Sequence, residues 1–326
     1  DVSIKQLTYF TVGPRGEGGV EASAALLVPG GAGCGGPFPL VAYTKGTDVV
    51  KARTLASATD SETGLLIGML AARGYVVVAT DYIGFARSTY SYHPYLNAES
   101  QAASNLDAIR ATRSIVASQG VTLNGNVLLT GYSQGGHASM ATQRAIERDA
   151  PAGIRVVAAG HSSGPYNLTG SFLAGLAFLP AGTGGSSVFV PYALTGFQKA
   201  YGNVYGNAAD YFKAPYASGV DALLPGALGF NELIANGRLP VNLGDLLTDR
   251  AIADLQNPTT GLRQALDLNT LLSWTPRAPT LLCGGARDPV VLFQNARDAQ
   301  TAFQAAGVPV SVVDVEQIPD FAPQFP

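Results

Sequence analysis

Apolar positions along this chain fall into short extended blocks that alternate with longer amphipathic stretches. Residues 4–12 and 20–28 flank a Gly-rich turn and predict an antiparallel opening pair of strands. Residues 40–43 predict a short strand and 60–73 a helix. The run YVVVAT at 75–80 is apolar almost throughout, as strands are when both sheet faces are covered. Residues 98–119 place Leu106, Ile109, Arg113 and Val116 at helical spacing. A strand at 126–130, a helix at 134–148 and a strand at 155–159 follow. Much later come a strand at 280–283, a helix at 291–306 and a strand at 308–315. Such β-α-β alternation predicts an α/β protein whose mostly parallel central sheet has helices on both faces.

Residues 165–275 interrupt the rhythm. They are rich in Gly, Tyr, Phe, Leu and Pro, with short helical pieces at 221–235 and 242–256. The expected organisation is a core of residues 1–164 and 276–326 with 165–275 inserted as a lid. Tyr192, Phe197, Tyr201, Tyr205, Tyr211, Phe212, Tyr216 and Phe230 offer surfaces for sugar rings or acyl chains. For most of them, packing into a small core of the lid itself is the simpler expectation.

The chemistry concentrates where the 126–130 strand meets the next helix, in Gly131-Tyr132-Ser133-Gln134-Gly135. A serine hydroxyl is a weak nucleophile unless it is held toward a base and a substrate. A sharp strand-to-helix turn holds it so, and glycines two residues to either side relieve the crowding. Strand, G-x-S-x-G and helix together point to the α/β-hydrolase fold, with Ser133 as nucleophile and the Gln134 N–H as one oxyanion donor. The acid of such a triad follows a late strand, and Asp288, in Gly284-Gly285-Ala286-Arg287-Asp288-Pro289, fits. Asp314 and Asp320 are weaker candidates. The polar loop after the 40–43 strand is where a second oxyanion N–H is expected, from Thr47 first and Asp48 second. The loop 80–88 follows another strand toward the same sheet edge and reads first as structural.

A serine nucleophile wants a histidine base. The three histidines are His93, His137 and His161, and none follows Asp288. Each reads as a hydrogen-bonded structural or pocket residue. The expectation is that the native protein continues and carries its base just beyond Pro326. The first residue is Asp1 instead of Met, which suggests a processed or trimmed form.

Composition narrows the alternatives. With 47% hydrophobic and 13% charged residues the chain is too apolar for disorder. Its apolar run at 172–179, broken by Gly175 and ended by Pro180, is far short of the roughly 20 residues of a membrane span. A net charge of −3 without a basic patch argues against nucleic acid as partner. Cys34 and Cys283 match no zinc spacing, and no metal or other cofactor is expected. A Cys34–Cys283 disulfide is conceivable in an oxidising compartment but is not the favoured reading, since Cys283 sits in an apolar run. The Gly-rich run at 31–36 leads into Pro37-Phe38-Pro39 instead of a helix, so no dinucleotide site is read there.

Gly131-Tyr132-Ser133-Gln134-Gly135-Gly136-His137-Ala138, Asp81-Tyr82-Ile83-Gly84, the long insertion and Gly285-Ala286-Arg287-Asp288-Pro289 together resemble the bacterial secreted lipase/esterase group. Within that group the chain is similar to the LipA-type cell-wall-degrading esterases of xanthomonads. The resemblance implies a secreted, cofactor-free enzyme whose lid binds a glycoside portion of an ester substrate; the expected partner is a small-molecule or glycan-linked ester, and the expected state is a monomer. Ser133 and Asp288 carry over to this sequence, and the family histidine has no counterpart in it. A peptidase or amidase on the same fold, or a noncatalytic carbohydrate- or lipid-binding homologue, are the competing readings.

Overall fold

The computed structural model describes residues 1–183 and 185–319. Eight strands form one sheet: β1 (Val2–Thr11), β2 (Val20–Pro29), β3 (Phe38–Thr44), β4 (Val76–Thr80), β5 (Leu123–Tyr132), β6 (Arg155–Ser162), β7 (Thr280–Gly284) and β8 (Ser311–Asp314). Their order is β1-β2-β4-β3-β5-β6-β7-β8. The first two pairings are antiparallel and the rest are parallel. This is the α/β-hydrolase arrangement expected from the sequence, with an antiparallel pair opening a parallel sheet.

Alternation along the strands explains how one sheet serves two layers. Successive side chains point to opposite faces. Ala24, Leu26, Val76 and Val78 pack with Leu106 and Ile109 of α2 (Ala98–Ser118) on one face. Ala25, Leu27, Val77 and Ala79 pack with Leu55 and with Leu66 of α1 (Ser61–Met69) on the other. A strand buried on both faces must be apolar at every position, which is why the 75–80 run looked continuous. Asn97 caps α2 by accepting from Ser100 N, and Asp60 caps α1 by accepting from Thr63 N. The helix after β5, α3 (Gln134–Asp149), is buried along most of its length.

Between β6 and β7 the described residues form six α-helices: α4 (Leu168–Gly175), α5 (Ser186–Tyr201), α6 (Ala208–Tyr211), α7 (Phe230–Ala235), α8 (Asp249–Gln256) and α9 (Gly261–Asn269). They share a hydrophobic cluster that includes Tyr192, Phe197, Tyr211, Phe212 and Leu266, joined by Val49, Tyr95 and Leu96 from outside the segment. Tyr192, Phe197, Tyr205, Tyr211 and Phe212 are thus buried in this cluster, and Phe230 lines the cleft described below.

Several expected helix limits shift for identifiable reasons. The expected helix 221–235 is a single 3₁₀ turn followed by α7, because Pro225, Gly226 and Gly229 separate the two. The expected helix 242–256 is a 3₁₀ turn at Leu243–Asp245 followed by α8, since Leu247 bridges to Phe212 and Thr248 supplies the cap. The 16-residue α5 was not anticipated. Its Val188, Val190, Pro191, Thr195 and Gly196 are poor helix formers, and burial of its apolar face outweighs them. The strand expected at 308–315 is shorter because Gly307 and Val308 close the C-terminus of α10 (Gln294–Ala305).

Candidate active site

Ser133 lies between β5 and α3 with φ 57° and ψ −122°, a conformation that L residues rarely adopt. Its backbone is pinned on both sides. Its N–H donates to Ser162 O at 2.9 Å, and its carbonyl accepts from His137 N at 3.2 Å. Although it occupies the N-cap of α3, its hydroxyl makes no capping bond.

The flanking glycines are required by measurable contacts. A Cβ on Gly131 would sit 2.2 Å from Thr44 Oγ1 and 2.3 Å from Gly135 O. One on Gly135 would sit 1.8 Å from Thr44 O. The crowding that selects glycine therefore comes from the end of β3 as much as from the elbow itself. Thr44 Oγ1 also donates to Gly135 O at 2.7 Å, which ties the elbow to the loop after β3. That loop runs against the nucleophile, since a Cβ on Gly46 would lie 3.9 Å from Ser133 Cβ.

Two cavities meet at Ser133. One is an open cleft of about 530 Å³ lined by Thr47, Glu62, Tyr132, Asp288 and Phe230, among others. The other is a narrow apolar tunnel of about 140 Å³, bordered by Thr47 and Gln134 and by Phe172, Leu176, Phe189, Val190 and Leu247 of the insert. Thr47 lines both cavities and Asp48 lines neither. The Asp48 carboxylate turns instead to buried Lys45 at 3.1 Å and to Arg53 at 3.2 Å. Burial opposes its ionisation, but Lys45, the Val50 N–H and Arg53 outweigh burial and hold the group below the usual carboxylate range.

Asp288 follows β7 and lines the open cleft with Ser133. Its Oδ1 accepts from Val290 N at 2.9 Å and Val291 N at 3.0 Å, which fixes the carboxylate direction. Its charge is felt within the cleft, where it adds to burial in pushing up the Tyr132 hydroxyl. Asp314 does other work: its Oδ1 accepts from Ala286 N at 3.1 Å and Glu316 N at 3.0 Å, tying the acidic loop to β8. Asp320 lies outside the described residues. In the 80–88 loop, Asp81 is fully buried and takes hydrogen bonds from Ser23, Thr54 and Leu55 N, in keeping with a structural role.

All three histidines are buried with both ring nitrogens engaged. His93 bonds Ile83 O and the Gln134 side chain. His137 bonds Gln101 and Asn269 O. His161 bonds Ser139 and Gln143. Burial pushes their pKa values down to about 3, about 4 and about 3 respectively. None lines either cavity at Ser133. Cys34 and Cys283 are free thiols, and Cys283 Sγ lies 3.0 Å from Ser162 Oγ. Among the described residues no helix is long and apolar enough to span a membrane.

Sequence reasoning did not reach Lys45 or Tyr95. A lysine at a strand end normally reads as solvated, yet Lys45 is wholly buried, with its ammonium 4.2 Å from the centre of the Phe85 ring. The tunnel was also out of reach, because its wall is assembled from helices distant in sequence.

The secretory lipase family model matches residues 49–324. The chain belongs to the secretory lipase family. This secretory lipase is similar to the rice cell wall degrading esterase LipA from Xanthomonas oryzae, with 38% identity and a TM-score of 0.90 over 96% of this chain and 83% of that one. A Legionella pneumophila protein shares the fold at 21% identity, with a TM-score of 0.87 over 97% of this chain and 82% of that one. Candida antarctica lipase A does so at 19% identity, with a TM-score of 0.71 over 94% and 70%. The sequence matches no curated protein. Family and likeness to LipA make this secretory lipase a carboxylic ester hydrolase.

Proposed function

We propose that this secretory lipase cleaves its ester through an acyl-enzyme on Ser133. One observation carries the reading: the strained, uncapped Ser133 stands where an apolar tunnel meets an open cleft holding Asp288. The tunnel takes the acyl chain and the cleft takes the alcohol. Ser133 Oγ attacks the ester carbonyl, and its proton passes to an imidazole oriented by Asp288. The N–H groups of Gln134 and Thr47 receive the oxyanion, with Asp48 the second choice for the latter. One such donor is typically worth about 3 kcal/mol of transition-state stabilisation. The protonated imidazole then releases the alcohol, and water frees the acid. His93, His137 and His161 have both ring nitrogens engaged and line neither cavity.

The apolar lining from Phe172, Leu176, Phe189, Val190 and Leu247 suits an alkyl acyl chain. Tyr43, Tyr132 and Glu62 line the alcohol side, which suits a saccharide with apolar faces and hydroxyls. By analogy with LipA, an ester in the plant cell wall is the proposed natural substrate, cleaved by an exported enzyme acting as a single chain. Ser133→Ala tests the assignment: p-nitrophenyl hexanoate turnover should fall by at least about a thousandfold, and turnover within about tenfold of the parent refutes it.

A further inference from the structure

Two loops, the elbow and the segment after β3, must hold their N–H groups at a fixed spacing if both are to serve one oxyanion. Between them sits the turn His93-Pro94-Tyr95. A backbone bond from Tyr95 N to His93 O at 2.9 Å folds the turn tightly, so its two side chains diverge from one point. The backbone of α5 rests on this turn, and a Cβ on Gly196 would come 3.3 Å from Tyr95 N.

One arm reaches the elbow. His93 Nδ1 lies 2.9 Å from Ile83 O, a carbonyl that can only accept, so Nδ1 carries the proton. In the neutral ring Nε2 is then an acceptor, and the Gln134 side-chain amide donates to it at 2.6 Å. Tyr82 and Phe85 enclose the ring with centroids 5.2 and 5.0 Å away. Its burial, reinforced by the nearby charge of Lys45 and opposed by Ile83 O and Asp48, keeps the ring neutral. The other arm reaches the β3 loop. Tyr95 OH lies 2.8 Å from Thr47 Oγ1, and the Tyr95 ring stacks on Tyr192 of α5 at 4.4 Å and 3°.

We infer that His93-Pro94-Tyr95 is a brace that sets the geometry of the oxyanion hole, with His93 positioning Gln134 and Tyr95 positioning Thr47. The inference rests on the reading of Gln134 and Thr47 as oxyanion donors. His93 lines neither cavity, and Tyr95 borders the tunnel with its ring while its hydroxyl is spent on Thr47. Through Tyr192, packing of the helical insert bears on the spacing of the two donors.

The test uses the whole enzyme. Tyr95→Phe deletes one hydroxyl, His93→Leu deletes both ring contacts, and His93→Gln keeps an acceptor near the Nε2 position. Tyr95→Phe and His93→Leu should each lower kcat on p-nitrophenyl hexanoate by about ten- to a hundredfold, the range for small misplacements of catalytic groups. KM should stay within about twofold. Affinity for an alkyl boronic acid, which forms a tetrahedral adduct on Ser133, should fall in proportion to kcat. His93→Gln should recover most of the loss. His93→Leu combined with Gln134→Leu should lose no more than the worse single variant, because the two act through one contact. If His93→Leu does not fold, the single-atom change Tyr95→Phe decides the matter. The brace is overturned if kcat stays within about twofold in the folded variants, or if the double variant shows additive losses. Labelling of the parent by a fluorophosphonate separates the two claims. A labelled Ser133 with unaffected variants removes the brace alone, and an unlabelled Ser133 removes the nucleophile reading beneath it as well.

Discussion

Acidification below pH 6.5 should destabilise this protein before its carboxylates protonate. His93, His137 and His161 are buried as neutral rings, and burial pushes them from an ordinary 6.5 down to about 3, about 4 and about 3. The unfolded chain therefore binds more protons than the folded one below pH 6.5, so stability rises with pH through this window and is lost as pH falls. At pH 5 each ring disfavours the fold by 2.303RT times about 1.5 pH units, or about 2 kcal/mol. The three together withdraw about 6 kcal/mol, against a total domain stability of about 5–15 kcal/mol. The limiting slope is about 4 kcal/mol per pH unit. The depressed carboxyls of Asp48 and Asp60 act in the same direction in a lower window, since their ordinary value is 3.8. Urea unfolding at pH 7.5, 6 and 5 measures the effect, and His137→Asn should reduce the slope by about a third. A loss below about 2 kcal/mol between pH 7.5 and 5 would refute the reasoning, because it would mean that the rings are not held neutral in the fold.

Other perturbations give further checks. Gly135→Ala puts a Cβ 1.8 Å from the Thr44 carbonyl, so the elbow must distort; a loss of about 3 kcal/mol or more is expected, read from thermal or urea melts. Lys45→Met removes the buried partner of Asp48 and should cost about 3 kcal/mol. Adding Asp48→Asn should return part of that loss, which thermal melts of the two variants would show. Val190→Trp narrows the tunnel wall. It should cut kcat/KM for the hexanoate ester by about tenfold or more and spare the acetate ester, as measured in parallel p-nitrophenyl assays.

Some of these features could be read directly from the residues. The elbow could, because its glycines and serine are contiguous and the strand and helix around them have clear periods. Asp288 could, because its place after β7 follows from strand order. Lys45 and Arg53 draw the Asp48 carboxylate away from both cavities. Nothing local in Thr44-Lys45-Gly46 announces a buried ammonium. Helix α5 escaped notice because tertiary burial stabilises residues with poor intrinsic propensity. His93 is hydrogen-bonded as its sequence setting suggests, but its partner Gln134 is 41 residues away, a distance no sequence period encodes.

The central claim is that Ser133 carries the acyl group. Brief incubation with p-nitrophenyl hexanoate, acid quenching and peptide mapping by mass spectrometry test it directly. The account predicts a hexanoyl adduct on the peptide containing Ser133 and no adduct there in Ser133→Ala. Continued ester turnover with the acyl group on another residue, or full turnover by Ser133→Ala, would contradict it.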